Sequence, residues 1–213
     1  MPLTARGSSA GAKPLLLTER GGVNRYHSVF FARKDSGINS LADMQGRSIA
    51  FQGTGSTSAY IVPAAALLDQ GLQLEILLSP MDRPTPDSVG YVFARSELNI
   101  AAWVHKRLVD AGVFSSQDWG DVRRMPPAFR QDMKIIHETP DYPRALEMVR
   151  GNLDPRVEAR LREVLLEAAN DPAAREAMNL FFRTTRFLPV DPDAQRGLDR
   201  VRDGVVRVRE QVE

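Results

Sequence analysis

The sequence contains no cysteine, which excludes disulfides and thiolate metal sites outright and is compatible with cytoplasm or periplasm. Long apolar runs are missing too. The longest are short pieces such as residues 64–68, far below a membrane span. Neither sign of charge dominates: 28 Lys and Arg stand against 27 Asp and Glu, so no global field draws nucleic acid or an acidic membrane. There is no basic run interleaved with aromatics, and no nucleic-acid partner is expected. Met1 to Lys13 has no apolar core of the kind a secretory signal needs.

Patterns for catalysis are equally scarce. There is no Gly-x-Ser-x-Gly elbow, and no Gly-Lys-Ser/Thr to complete a P-loop. His27, His105 and His137 lack ligand-like spacing, and Asp82, Asp87, Asp118 and Asp121 form no carboxylate pair that spacing identifies. Gly53-Thr54-Gly55 begins like a dinucleotide fingerprint, with Glu75 placed as the ribose-binding acid, but Ser58 stands where the third glycine belongs. The expectation is a protein that is not an enzyme and takes no metal or cofactor.

What is present is an ordinary globular composition, 43% hydrophobic and 26% charged over 213 residues, enough for one large domain or two small lobes. The first ~25 residues are Gly- and Ser-rich around Leu15-Leu16-Leu17 and carry little periodicity. Strands are predicted at 26–32, 47–51, 74–78, 89–93, 109–114 and 133–137. Between them fall a capped turn at 40–44, a helix over 60–70, a proline-rich loop at 79–88 and a helix from Ser96 to about Leu108. This alternation predicts an α/β sheet with parallel pairs. Beyond Pro143 the chain reads as helical, with Asp154-Pro155 and Asp171-Pro172 as caps followed by proline at the first helical position. Val157, Leu161, Val164, Leu165 and Ala168 form one apolar stripe, and Leu198, Val201, Val205 and Val208 another. Such stripes pack onto the sheet or onto a second subunit, so a homodimer through the C-terminal helices stays open.

The stretch Gln52 to Tyr60 carries the most chemistry. A glycine-containing turn delivers Ser56, Thr57 and Ser58 to a helix N-terminus, where unpaired amides and the positive end of the helix dipole favour an anion. The hydroxyls can donate to oxygens that carry no hydrogen, as in a phosphate-like group. The alternative is a well-capped buried helix, since Ser and Thr are ordinary caps.

An ordered series now accumulates. It runs Tyr26-His27-Ser28-Val29, Arg33-Lys34-Asp35-Ser36-Gly37-Ile38, Ser40-Leu41-Ala42-Asp43-Met44-Gln45-Gly46-Arg47, then Ser56-Thr57-Ser58-Ala59-Tyr60 with Pro63. It continues with Val109-Asp110-Ala111-Gly112, Ile135-Ile136, Thr139-Pro140 and Pro143-Arg144. The series resembles the phosphate/phosphonate ABC-transporter solute-binding proteins, the PhnD-like family of type II periplasmic binding proteins, from about Lys13 to the C-terminus. The resemblance implies an α/β fold of that type: one lobe with a mixed sheet, C-terminal helices, and a first lobe that is incomplete. It implies residues 1–33 as a remnant of the first lobe and crossover, 34–140 as the α/β second lobe, and 141–213 as the return crossover and C-terminal helices. It further implies periplasmic localisation, a small phosphate, phosphonate or phosphite ligand between lobes, and an ABC permease as partner.

By the same resemblance the ligand-binding residues are Tyr26, Ser56, Thr57, Ser58, Ser96, Glu97, Asp110 and Arg144. Glu97 stands where many members have histidine. An ionised carboxylate there repels a dianion, so its role is left among accepting from a protonated ligand oxygen or amine and pairing with Arg95 or Arg144. Arg144 and, more weakly, Arg95 offer a guanidinium fork for anion oxygens, against the alternative of ordinary surface arginines. Two further readings remain: a ligand-sensing module of the same fold acting on a partner protein, and a nucleotide-dependent enzyme using the Gly53-Thr54-Gly55 turn.

Overall fold

The computed structural model describes residues 11–212. Met1 to Ala10, most of the stretch judged to lack a signal sequence, lies outside the described residues. The chain opens with β1 (Ala12–Arg20), β2 (Arg25–Tyr26), β3 (Ser28–Arg33), a 3-10 turn (Leu41–Met44) and β4 (Ser48–Phe51). A π-type turn (Thr57–Ile61) runs straight into α1 (Val62–Asp69), followed by β5 (Gln73–Ile76), β6 (Ser88–Phe93), α2 (Glu97–His105) and β7 (Ala111–Ser115). Next come α3 (Ser116–Gly120), α4 (Pro127–Arg130), β8 (Met133–Glu138) and β9 (Tyr142–Pro143). The last elements are β10 (Leu146–Arg150), α5 (Pro155–Glu167), α6 (Pro172–Leu180), β11 (Thr184–Leu188) and α7 (Pro192–Gln211).

The described residues divide into a larger unit, 27–140 with 200–212, and a smaller one, 11–26 with 141–199. This division into compact units falls at 26/27, 140/141 and 199/200. Two packing facts set this division. β3 is hydrogen-bonded to β7 and β8, and the end of α7 buries Val208 in the larger unit's core.

The larger unit is a six-stranded mixed sheet in the order β5-β6-β4-β7-β3-β8. β4 runs parallel to β6 and β7, β5 runs parallel to β6, and β3 is antiparallel to both of its neighbours. Helices on both faces make the central strands nearly all apolar, and β4 is buried throughout. Side chains alternate across the sheet. Phe30, Ile49 and Phe51 join Tyr60, Leu67 and Val208 on one face, while Phe31, Ala50 and Val92 join Ile100, Val104 and Phe114 on the other. Gly112 lets α2 press close, since a Cβ there would meet Ile100 Cγ2 at 2.5 Å and Phe31 Cζ at 2.7 Å.

The smaller unit corrects the helical reading of the C-terminal third. Helices α5, α6 and the first half of α7 do form, with Asp154 and Asp171 capping as expected. β10 precedes them and β11 separates α6 from α7, and the two strands flank β1 in a three-stranded antiparallel sheet. β1 hides from a period-two search because Leu15, Leu16 and Leu17 are all buried and the register shifts between Pro14 and Leu16. The two helical stripes also separate. Val201 and Val208 are buried on α7, whereas Val157, Leu161 and Val164 are exposed on α5 and only Leu165 and Ala168 reach the core.

Candidate functional site

Ligands of open α/β sheets gather beyond the carboxyl ends of parallel strands. In the larger unit those ends are Phe51 of β4 and Phe93 of β6, paired in register. Each leads into a serine-capped helical start. After β4 the Ser56 amide donates to the Gly53 carbonyl at 3.0 Å, and the Ser56 hydroxyl accepts from the Ala59 amide at 3.1 Å. The Ile61 amide reaches back to the Ser56 carbonyl at 3.0 Å, a widened turn that forces Ala59 to φ −118° and ψ 19°. After β6 the Ser96 hydroxyl accepts from the Asn99 amide at 3.2 Å.

The two starts are tied by backbone. Gln52 donates to the Ala59 carbonyl at 3.0 Å and accepts from the Arg95 amide at 3.0 Å, while Ala94 donates to Phe51 at 2.8 Å. Ser56, Thr57 and Ser58 are half-buried behind the exposed Thr54-Gly55, and the core residues beneath them are Ala59 and Tyr60. The hydroxyl cluster therefore keeps access to solvent. The Ser56 hydroxyl is spent on its cap, but among the described residues no hydrogen-bond partner holds the Thr57 or Ser58 hydroxyl. The amides that open this helical stretch have no preceding turn of helix to bond to. What results is a set of neutral hydroxyl and amide groups at the head of a helical stretch, where the helix dipole is positive.

The other sequence-derived candidates scatter. Glu97 takes neither partner weighed for it: Arg124 Nη1 donates to its carboxylate at 3.0 Å. That pairing is hidden from local spacing because Arg124 lies in the loop after α3. Asp110 is at the opposite end of the sheet, where its carboxylate accepts from the Ser48 amide at 2.9 Å and the Ser48 hydroxyl at 3.0 Å. It pins the start of β4 to the start of β7 and is not brought together with Ser56 or Ser96. Tyr26 and Arg144 belong to the smaller unit. The Tyr26 ring packs on Tyr142 with centroids 4.8 Å apart, and Arg144 Nη1 donates to the Arg20 carbonyl at 2.9 Å. His105, one of the three histidines without ligand-like spacing, lies 3.3 Å from Asp132 and stacks on Phe129.

One feature of this sheet end escaped the sequence reading. Ser115 closes β7 and caps α3, accepting from the Asp118 amide at 3.1 Å. Beside it His27 Nε2 lies 3.2 Å from the Glu138 carboxylate, and the His27 carbonyl accepts from the Ser116 amide at 2.9 Å. The signal was present as Ser115-x-x-Asp118 directly after an apolar run.

A family model described as "ABC transporter, phosphonate, periplasmic substrate-binding protein" matches residues 3–195. The chain belongs to that family. It is a family of solute-binding proteins that work in the periplasm, and no described helix is long and apolar enough to cross a membrane. The chain is 50% identical to XAC2383 from Xanthomonas citri, described bound to ATP, over 95% of this chain and 74% of that one, with a TM-score of 0.88. Another structure of XAC2383 is described bound to chloride ion, with a TM-score of 0.87 over 94% of this chain and 72% of that one. PhnD1 from Prochlorococcus marinus, in complex with methylphosphonate, shares the fold at 19% identity and a TM-score of 0.57, over 92% of this chain and 73% of that one. The chain is also 28% identical over 109 residues to the phosphate-import protein PhnD of Mycolicibacterium smegmatis, covering 46% of this chain. That match spans 34% of the length of the curated relative. The α/β, type II periplasmic-binding fold read from the sequence is thus the fold observed.

Proposed function

We propose that this chain binds a phosphate-, phosphonate- or phosphite-type oxyanion and delivers it to an ABC permease. The supporting observation is the pair of solvent-accessible hydroxyls, Thr57 and Ser58, at the head of a helical stretch beside the Ser96 cap. A tetrahedral anion presents several oxygens that only accept, and this surface presents hydroxyl and amide groups that donate. Tyr26 and Arg144 of the smaller unit, implied by the family resemblance, would add a phenol and a guanidinium to the same ligand. Excluding water on closure strengthens each charge-assisted bond, and the ligand favours the closed state because only that state offers both donor sets.

A second reading follows from the Xanthomonas citri protein described bound to ATP: the ligand here carries an organic tail, and its terminal phosphate takes the same turn. Calorimetric titration with phosphate, phosphite, methylphosphonate, ATP and sulfate separates the two readings. Saturable binding of a simple oxyanion, lost in the Thr57→Ala/Ser58→Ala double variant, supports the first. Binding of ATP alone, lost in the same variant, supports the second. Affinity for every ligand that is untouched by the double variant removes the site assignment.

A further inference from the structure

At the amino end of the same parallel strands, opposite the hydroxyl cluster, four arginines from separate segments line a cavity of ≈ 270 Å³. They are Arg33 at the end of β3, Arg47 before β4, Arg83 in the proline-rich loop and Arg107 after α2, facing only Asp35 and Asp110 as lining carboxylates. We propose that this cavity is a second anion site, for a compact phosphate-bearing polyanion of the pyrophosphate type.

The guanidiniums differ in how far they are already committed. Arg33 is fully engaged, donating to Asp35 at 3.0 Å, to Asp132 at 3.3 Å and to the His105 carbonyl at 3.1 Å. Arg107 donates to Asp35 at 2.7 Å and is still largely exposed. Arg47 Nη1 stands 3.8 Å from Asp110 Oδ1, a loose ion pair beyond hydrogen-bond reach, while Ser48 holds Oδ2 of the same carboxylate. Arg83 has no ion-pair partner among the described residues. Arg47 and Arg83 are therefore the two forks open to a ligand, with Arg107 as a third that Asp35 restrains. Arg107 holds this place at φ 60°, a left-handed conformation in which glycine is the low-cost residue.

The chemistry differs from that of the hydroxyl end. Guanidiniums are permanently charged, always donors, and shaped to take two oxygens at once. Two or three of them around one concavity match an anion with oxygens on adjacent phosphorus centres. The cavity falls just below the roughly 300–1,000 Å³ range of small-molecule sites, which selects a compact anion over a whole nucleotide.

The test is a pyrophosphate titration of the full chain at about 150 mM salt, where diffuse attraction is screened. It is followed by calorimetry and by the NMR signals of the arginine Nε–H groups. The wild type and the Thr57→Ala/Ser58→Ala variant should bind alike. Arg47→Gln/Arg83→Gln should weaken binding at least about tenfold, since each removes a hydrogen bond to a charged group. Asp35→Asn, which frees Arg107, should tighten it. Thermal melting of the exposed Arg47/Arg83 variant should match wild type, so a folding defect is separable from a binding defect. The proposal is overturned if a folded Arg47→Gln/Arg83→Gln protein binds pyrophosphate like wild type. It is overturned equally if Thr57→Ala/Ser58→Ala alone abolishes that binding, or if the wild type shows no saturation by about 10 mM. Because the two variants address opposite ends of the sheet, failure here leaves the hydroxyl-end reading standing, and the reverse holds too.

Discussion

On the two proposals above, the two ends of the six-stranded sheet would attract an anion by opposite means. At the carboxyl end the donors are neutral: Thr57 and Ser58 hydroxyls, helix-opening amides and the Ser96 cap, all placed by backbone that Gln52 and Ala94 lock together. At the amino end they are charged guanidiniums on flexible stems, partly restrained by Asp35 and Asp110. Fixed dipoles discriminate by geometry and cost nothing to reorganise, whereas guanidiniums supply charge and reach. A solute binder that must tell one oxyanion from another has reason to place the first kind where selection occurs.

That contrast predicts a graded set of effects. The largest is on affinity at the hydroxyl end. Thr57→Ala/Ser58→Ala should weaken simple oxyanion binding by roughly 100-fold or more by calorimetry, as each lost bond to a charged acceptor is worth about 1.5–3 kcal/mol. Next is salt: raising it from about 50 to 500 mM should reduce pyrophosphate affinity at the arginine end about tenfold, while phosphate affinity at the hydroxyl end changes less. Equal salt slopes at the two ends would erase the distinction. Third, Ser56→Ala should cost about 1 kcal/mol of stability in denaturant melts, because this hydroxyl caps the helix.

The smallest effect concerns Asp35, whose carboxyl is held at about 2, from an ordinary 3.8, by hydrogen bonds first from Arg33 and then from Arg107. A depressed folded value means its contribution is present above about 3.8 and is lost as pH falls through about 2. Carboxyl NMR titration should show that low midpoint, and Arg107→Gln should move it upward. An Asp35 midpoint at the ordinary value would show that the restraint on Arg107 is absent.

Legibility in the sequence follows the same physical divide. The larger unit was readable because β4 and β6 are short apolar runs bounded by Gly, Ser and Pro, and because Ser40, Ser56 and Ser96 announce helical starts. The hydroxyl cluster lies within one contiguous stretch, so the proposal for it could be framed before any fold was known. The smaller unit was not readable in this way. β10 and β11 are charged, half-exposed strands whose stability comes from pairing with β1 far away in the chain, and local pattern does not reveal such partners. Asp110 sits at a strand start, and motif order carries no information on which end of the sheet that start occupies. Arg47, Arg83 and Arg107 meet only after parallel pairing is complete, as Glu97 and Arg124 do.

The exposed face of α5 adds a second contrast. The α7 stripe is consumed internally at Val201 and Val208, whereas Val157, Leu161 and Val164 remain outside the core. Two stripes with the same spacing thus have different fates, and periodicity alone does not separate them.

The most direct test of the oxyanion account is an amide ¹⁵N–¹H titration of the chain with inorganic phosphate. The account predicts saturable shifts concentrated at the Thr57, Ser58 and Ser96 amides, with a single dissociation constant. Saturation that leaves those amides unmoved while signals elsewhere respond would contradict it.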